Sequence, residues 1–199
     1  LIQQARGKGG PRYRAPSFRY KGRSEYPRYN KETALLTGKI IDLIHCQGHS
    51  APLAQVEYED GSMVLLQAPE GVRVGEKVEI GINVDVKIGN VMPLKNIPEG
   101  IAIYNIESFP GDGGKFVRSS GGFAKIITKM QSMIVVEMPS AKRREFLPEC
   151  RATIGVIAGS GRKEKPFLKA GTRYHAMKAK NKLWPQVSGT SMNAVDHPF

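Results

Sequence analysis

The chain has 199 residues, 40% hydrophobic and 24% charged, with 30 Lys+Arg against 18 Asp+Glu and a formal net charge of +12. That length fits one or two small domains; no stretch approaches the roughly 18 apolar residues of a membrane span, and no apolar signal-peptide core stands at the start. Two cysteines, Cys46 and Cys150, are too few for a disulfide scaffold and read as free thiols in a reducing cytosol.

The chain opens on Leu1 rather than Met and stops abruptly at Phe199, which reads as a trimmed piece. Residues 1–31 carry a net charge of +8, residues 32–110 a net of −6 and residues 111–199 a net of +10. Concentrated positive charge at both ends suits a polyanion, because each neutralised phosphate releases condensed counterions. A membrane-binding basic helix needs an apolar stripe opposite its charges, and neither end has one. The pattern therefore points to nucleic acid.

In chain order, the first segment (1–33) reads as a basic extended tail. Gly and Pro break any helix there, while Tyr13, Phe18, Tyr20, Tyr26 and Tyr29 alternate with Arg12, Arg14, Arg19, Lys21, Arg23 and Arg28. Rings and guanidinium planes can stack on unpaired bases as cations meet phosphates. The plainer alternative is a solvating tail, which gains nothing from five rings.

A strand is predicted over 35–44, bent at Gly38. Residues 54–58 and 62–67 flank Glu59-Asp60-Gly61 as a hairpin, and further short strands are predicted over 77–80 and 84–88. Five short strands in about 60 residues point to a small barrel of the oligonucleotide-binding kind over 34–88. Past Gly89, runs at 101–106, 123–128, 133–138, 143–147 and 152–157 predict a second small barrel over 89–160. Pro-Glu-Gly recurs at 69–71 and 98–100 and reads as a reused turn. A short basic helix is predicted within 165–180, in a basic C-terminal extension (161–199) that turns loop-like beyond Lys182.

Glycine-rich loops at 111–115, 119–122 and 159–163 can bring backbone close to phosphates, with Lys115, Arg118, Arg143, Arg144, Arg162 and Lys163 interspersed. None fits the phosphate loop of nucleotide hydrolases. His45-Cys46-x-x-His49 gathers three potential metal ligands without a fourth at zinc-finger spacing, so the structural reading is preferred and no metal or cofactor is expected. Asp196-His197 beside Ser188 and Ser191 lies in one polar loop, whereas hydrolase triads draw on distant segments. No catalytic residue is assigned. Trp184-Pro185 reads equally as a core anchor or a stacking platform.

Several blocks resemble one family. Tyr58-Glu59-Asp60-Gly61 with Ala68-Pro69-Glu70-Gly71 resembles the first barrel of large ribosomal subunit protein two, and residues 89–100 (GNVMPLKNIPEG) resemble its linker. Residues 148–155 (PECRATIG), Lys169-Ala170-Gly171 and residues 192–198 (MNAVDHP) extend the resemblance over essentially the whole chain, in order. The start and the Asp-His-Pro-Phe ending are similar to the archaeal branch.

The resemblance implies an oligonucleotide-binding-type barrel, an SH3-like barrel and a C-terminal extension, in a structural constituent of the cytoplasmic ribosome that is not an enzyme. It implies primary binding to large-subunit rRNA, contacts with other ribosomal proteins, support of subunit association and of the peptidyl-transferase centre, and no membrane. Small-subunit rRNA at an intersubunit bridge and tRNA are further candidate partners. The expected rRNA-binding cations are Arg6, Lys8, Arg12, Arg14, Arg19, Lys21, Arg23, Lys115, Arg118, Arg143, Arg144, Arg162, Lys163, Lys169, Arg173, Lys178, Lys180 and Lys182. Met192, Asn193, Asp196 and His197 form the loop expected near the peptidyl-transferase centre, with His197 packing or hydrogen-bonding to RNA rather than acting as acid or base. Ala194 stands where the family often has Pro, and Ser188 where an Arg commonly precedes the loop glycine. The competing expectations are a free RNA-binding translation factor and an enzyme using Asp196 and His197.

Overall fold

The computed structural model describes residues 10–28 and 35–197, and these fall into a β unit within 21–164 and a terminal unit of residues 10–20 and 165–197. Arg6, Lys8, Tyr29 and the Lys163 side chain lie outside the described residues.

Alternating burial in short β-capable runs gives ten strands among the described residues. They are β1 Leu35–Ile44, β2 Leu53–Tyr58, β3 Met63–Gln67, β4 Lys77–Gly81 and β5 Val91–Pro93, then β6 Ala102–Tyr104, β7 Ala124–Lys129, β8 Ile134–Glu137, β9 Arg143–Phe146 and β10 Arg151–Ile154. They form one open sheet in the order β3-β2-β1-β4-β5-β10-β6-β7-β8-β9. The mainly-β fold read from the sequence is therefore present, with its strands continuous from one half to the other.

Two aliphatic cores mark the halves. The first gathers Ile40, Val56, Tyr58, Leu66, Val78 and Val91, and the second Met92, Ile103, Ile126, Val136, Phe146 and Ile154. Strand β5 serves both, because adjacent side chains point to opposite faces: Val91 enters the first core and Met92 the second. Each fully buried aliphatic side chain contributes about 1.5–3 kcal/mol. Along the seam between the halves, strands β4 and β5 pair in parallel only at Ile80 and Val91, and backbone bonds from Glu70 N to Val156 O (2.8 Å) and from Ala158 N to Ala68 O (3.0 Å) join the halves again.

Two local expectations change. Gly38 does not bend β1; it pairs regularly with Tyr58 and Val78. A Cβ there would sit 2.6 Å from both the Tyr58 ring and Val56, so close packing is what demands glycine. The irregularity falls between Ile40 and Asp42, where the register with β2 shifts, and β7 has its counterpart between Ile126 and Thr128. Such bulges bend and twist the strand. Residues 84–88 are not a strand. The Asn90 side chain accepts from Glu79 N (3.0 Å) and donates to Asp85 O (3.1 Å), and Lys87 N returns to Asp85 O (2.8 Å), folding the segment on itself. The two Pro-Glu-Gly turns do match, with φ of 84° at Gly71 and 81° at Gly100.

The largest departure is at the N-terminus. Residues 21–28 belong to the β unit rather than to a free tail. Ser24 bridges in parallel to Leu65, and Tyr26 N donates to Gly113 O (3.0 Å). Tyr26 is buried in the first core, while its hydroxyl donates to Asn105 O (2.8 Å) and meets Thr153 Oγ1 (2.6 Å) on the other side of the seam. Burial and the nearby Glu107 carboxylate push its phenol far above the usual range. Tyr26 is thus a core residue and is withdrawn from the base-stacking set.

Beside it lies a buried ion pair. Arg151 Nη2 and Nε donate to Glu107 Oε1 at 2.7 and 3.0 Å, and Glu107 Oε2 accepts from Arg151 N at 2.8 Å. The same guanidinium donates to Pro27 O (3.1 Å) and lies 5.2 Å from the Tyr26 ring centre. Residues 21–28 form a strap, riveted by Tyr26 and clasped by Arg151.

Candidate nucleic-acid interface

In the β unit, Lys21, Arg23, Lys115, Arg143, Arg144 and Arg162 are exposed. Strand β9 ends the sheet, so its cationic side chains sit on an unpaired edge. The Arg144 guanidinium lies 4.1 Å from the Phe116 ring centre and 5.6 Å from that of Phe146, which holds the cation over an aromatic platform.

Two of the three glycine-rich loops come together. Arg162 Nε donates to Ser120 Oγ (2.6 Å), and a Cβ on Gly121 would fall 2.6 Å from Ser160 Cα. Loops 119–122 and 159–163 therefore dock as one surface. The third, 111–115, is closed by Asp112. Partial burial pushes that carboxyl up, but donors from Gly114, Ser108 and Phe109 outweigh it and hold it below the usual range. Lys115 lies 3.3 Å from the same carboxylate.

Arg118 stands apart from the other predicted contacts. Half-buried, it donates to Gly114 O (3.0 Å) and to the Ser24 carbonyl, so it fastens the strap; burial lowers its guanidinium pKa. Internal bonds thus occupy two of its donors, which the sequence reading did not anticipate. Sequence reasoning also passed over Glu107 and Arg151. The available signal was an acid directly following the apolar run 101–106.

In the terminal unit, the predicted helix forms as α1, Ala170–Ala179, starting later than expected, after Lys169 in extended conformation. Arg173 and Lys178 lie on it, Lys169 just before it, and Lys180 and Lys182 just after; all are exposed, as are Arg12, Arg14 and Arg19. Arg12 faces the Tyr13 ring at 5.8 Å and Arg19 the Phe18 ring at 5.3 Å. The loop at 188–197 closes on itself, since Asp196 N and His197 N both donate to Asn193 O, at 2.9 and 3.1 Å. Half-buried His197 lies over Gly189, where a Cβ would meet its ring at 2.5 Å. Met192 is half-buried and Asn193 exposed.

Cys46 is buried, with its Sγ 3.2 Å from His49 Nδ1, and burial lowers the His49 pKa. Among the described residues no group of three His, Cys, Asp or Glu side chains is placed to hold a metal, and no helix is long and apolar enough to cross a membrane.

Residues 87–199 match the family described as Ribosomal Proteins L2, C-terminal domain. The whole chain is 50% identical to large ribosomal subunit protein uL2 of Methanococcus aeolicus and 51% identical to that of Methanocaldococcus jannaschii, spanning 84% and 83% of those proteins. The uL2 protein of Natronomonas pharaonis is 50% identical over the full chain, which spans 82% of it.

Proposed function

The chain belongs to the uL2 family of large ribosomal subunit proteins, in its archaeal-like branch, and from that membership we propose a structural, rRNA-binding role in the large subunit. The family is a structural component and not an enzyme. One observation carries the rRNA-binding reading. Every predicted cation with a described side chain is exposed except Arg118, and of these exposed cations only Arg23 and Lys115 lie within 4.0 Å of a carboxylate among the described residues. A surface built for solubility intersperses both signs. This one keeps its cations available, as a phosphate-binding surface requires.

Residues 34–88 act as an oligonucleotide-binding-type barrel and 89–160 as an SH3-like barrel, each presenting basic loops to folded RNA. Contacts fall mainly on phosphates and RNA shape, because the deep A-form groove hides base edges. The self-closed loop of Met192, Asn193, Asp196 and His197 lies near the peptidyl-transferase centre, where His197 packs against RNA. Other ribosomal proteins, small-subunit rRNA at a bridge and tRNA are further contacts, in the cytoplasm.

Sedimentation with large subunits of its own source, before and after a wash in about 0.5 M salt, tests the reading. Retention at one copy per subunit is expected. Release into the free fraction overturns the structural role and leaves a visiting factor. His197→Ala is expected to spare folding and impair subunit assembly or peptide transfer; unchanged ribosome profiles and growth would remove the role given to His197.

A further inference from the structure

Trp184 reads from sequence as either an anchor or a platform, and the terminal unit decides between them. No described residue of that unit is buried, so it offers no core for an indole to anchor. Trp184 instead lines an open cleft of about 670 Å³ with Tyr13, Arg173, Met177, Lys182 and Gln186. We propose that this cleft receives one unpaired nucleotide of an RNA strand, its base stacked between aromatic faces and its phosphate held by Arg173 and Lys182. The inference rests on the RNA-binding reading above and adds a defined site to it.

Three features support it. The cleft lies within the roughly 300–1,000 Å³ range of small-molecule sites, and the smaller lobe of about 220 Å³ beside it shares Tyr13, Lys182 and Trp184. The lining of both lobes contains no acid, while Arg12, Arg173, Lys178 and Lys182 supply cations, so an anionic ligand meets no like charge. The platform is also preassembled. Asn181 Nδ2 donates to Arg14 O (2.9 Å), tying the N-terminal wall to the segment after α1, and the Arg173 guanidinium already lies 5.7 Å from the Trp184 ring centre. Bases stack on tryptophan and on arginine planes alike. A fully paired duplex keeps its bases stacked internally and cannot fill the slot, so the ligand is an extruded or single-stranded nucleotide. The Gln186 amide provides both a donor and an acceptor for its edge.

Trp184 is the only tryptophan in the chain, so its fluorescence reports this cleft alone. The full chain is titrated with a labelled oligoadenylate of about eight nucleotides, a fully paired duplex of equal length, and adenosine monophosphate. Label anisotropy reads total RNA binding, and Trp184 emission reads occupancy. Saturable quenching by the single strand and none by the duplex is expected. Tyr13→Leu should weaken the quenching mode about 5- to 150-fold, the range of one lost base–aromatic stack, while Tyr13→Phe keeps it and controls for misfolding. A strand that binds by anisotropy without quenching Trp184 overturns the cleft and leaves the RNA-binding reading intact. Equal affinity for the free monophosphate overturns the strand assignment. Absence of any RNA binding at low salt overturns both readings.

Discussion

The β unit buries its own apolar surface, from Tyr26 to Ile157 in chain order, whereas the terminal unit has no buried residue among those described. Their hydrogen bonds differ in the same way. In the β unit, bonds such as that between Tyr26 and Thr153 join residues 127 apart, while in the loop at 188–197 Asp196 N and His197 N both donate to nearby Asn193 O. A ten-residue helix such as α1 is marginal alone, because helix nucleation is costly and isolated helices need about 12–15 residues. The β unit thus has an internal source of order. The terminal unit has cations and rings instead, and a partner is its source of order in the proposed function. The contrast teaches that charge pattern alone does not separate a scaffold from a contact surface. Arg118 and Arg151 are arginines like Arg173, yet they bind carbonyls and a carboxylate within the β unit.

The contrast can be broken most forcefully at the buried pair. Arg151→Ala leaves Glu107 charged and unpaired, and is expected to cost about 3–5 kcal/mol in urea denaturation. A loss within error would show that the clasp contributes nothing to the β unit. Gly38→Ala comes next, at about 1–3 kcal/mol from overpacking against Tyr58 and Val56. Tyr26→Phe keeps the ring and removes its hydroxyl bonds to Asn105 O and Thr153, for about 1–2 kcal/mol. Together with exchange of the Tyr26 amide, it measures how firmly the strap is held.

One effect is confined to alkali. Burial, then the nearby Glu107 charge, pushes the Cys150 thiol up to about 11. The folded state therefore holds this proton more tightly than the unfolded chain, whose thiol titrates near about 8.5. Its contribution is complete below that pH and declines as pH rises through 11. Stability measured across this window should fall, less steeply in Glu107→Gln. A thiol reagent that modifies Cys150 rapidly in the native protein at neutral pH would contradict its burial.

Much of the β unit was legible because alternation and turn chemistry are local. β1 and the Asp-Gly hairpin follow from period-two runs and from Asp60, whose Oδ1 accepts from Ser62 N (2.9 Å) and Oγ (2.6 Å). Residues 84–88 failed because three apolar side chains in five positions imitate a strand, whereas Asn90, outside the run, determines its path. The strap failed for a different reason. Tyr26 sits amid Gly, Pro and Arg with no periodicity, and its burial depends on Asn105 and Thr153, distant in sequence. The same limit hid Arg118 from a residue-type reading of the interface. The cations of the terminal unit were legible, since exposure there needs no tertiary information.

The rivet at Tyr26 also has a consequence for synthesis. The strap is made early, but its partners at Asn105 and Thr153 follow 79 and 127 residues later. At about 5–20 residues per second, the second partner is polymerised some 6–25 s after Tyr26. During that interval β1 to β4 can pair, since each lies within the early part of the chain, while the strap's phenol awaits β10. Locking of the N-terminal segment therefore comes late in assembly. Until then residues 21–28 lack the partners at Asn105, Gly113 and Arg151 that hold them in the folded chain.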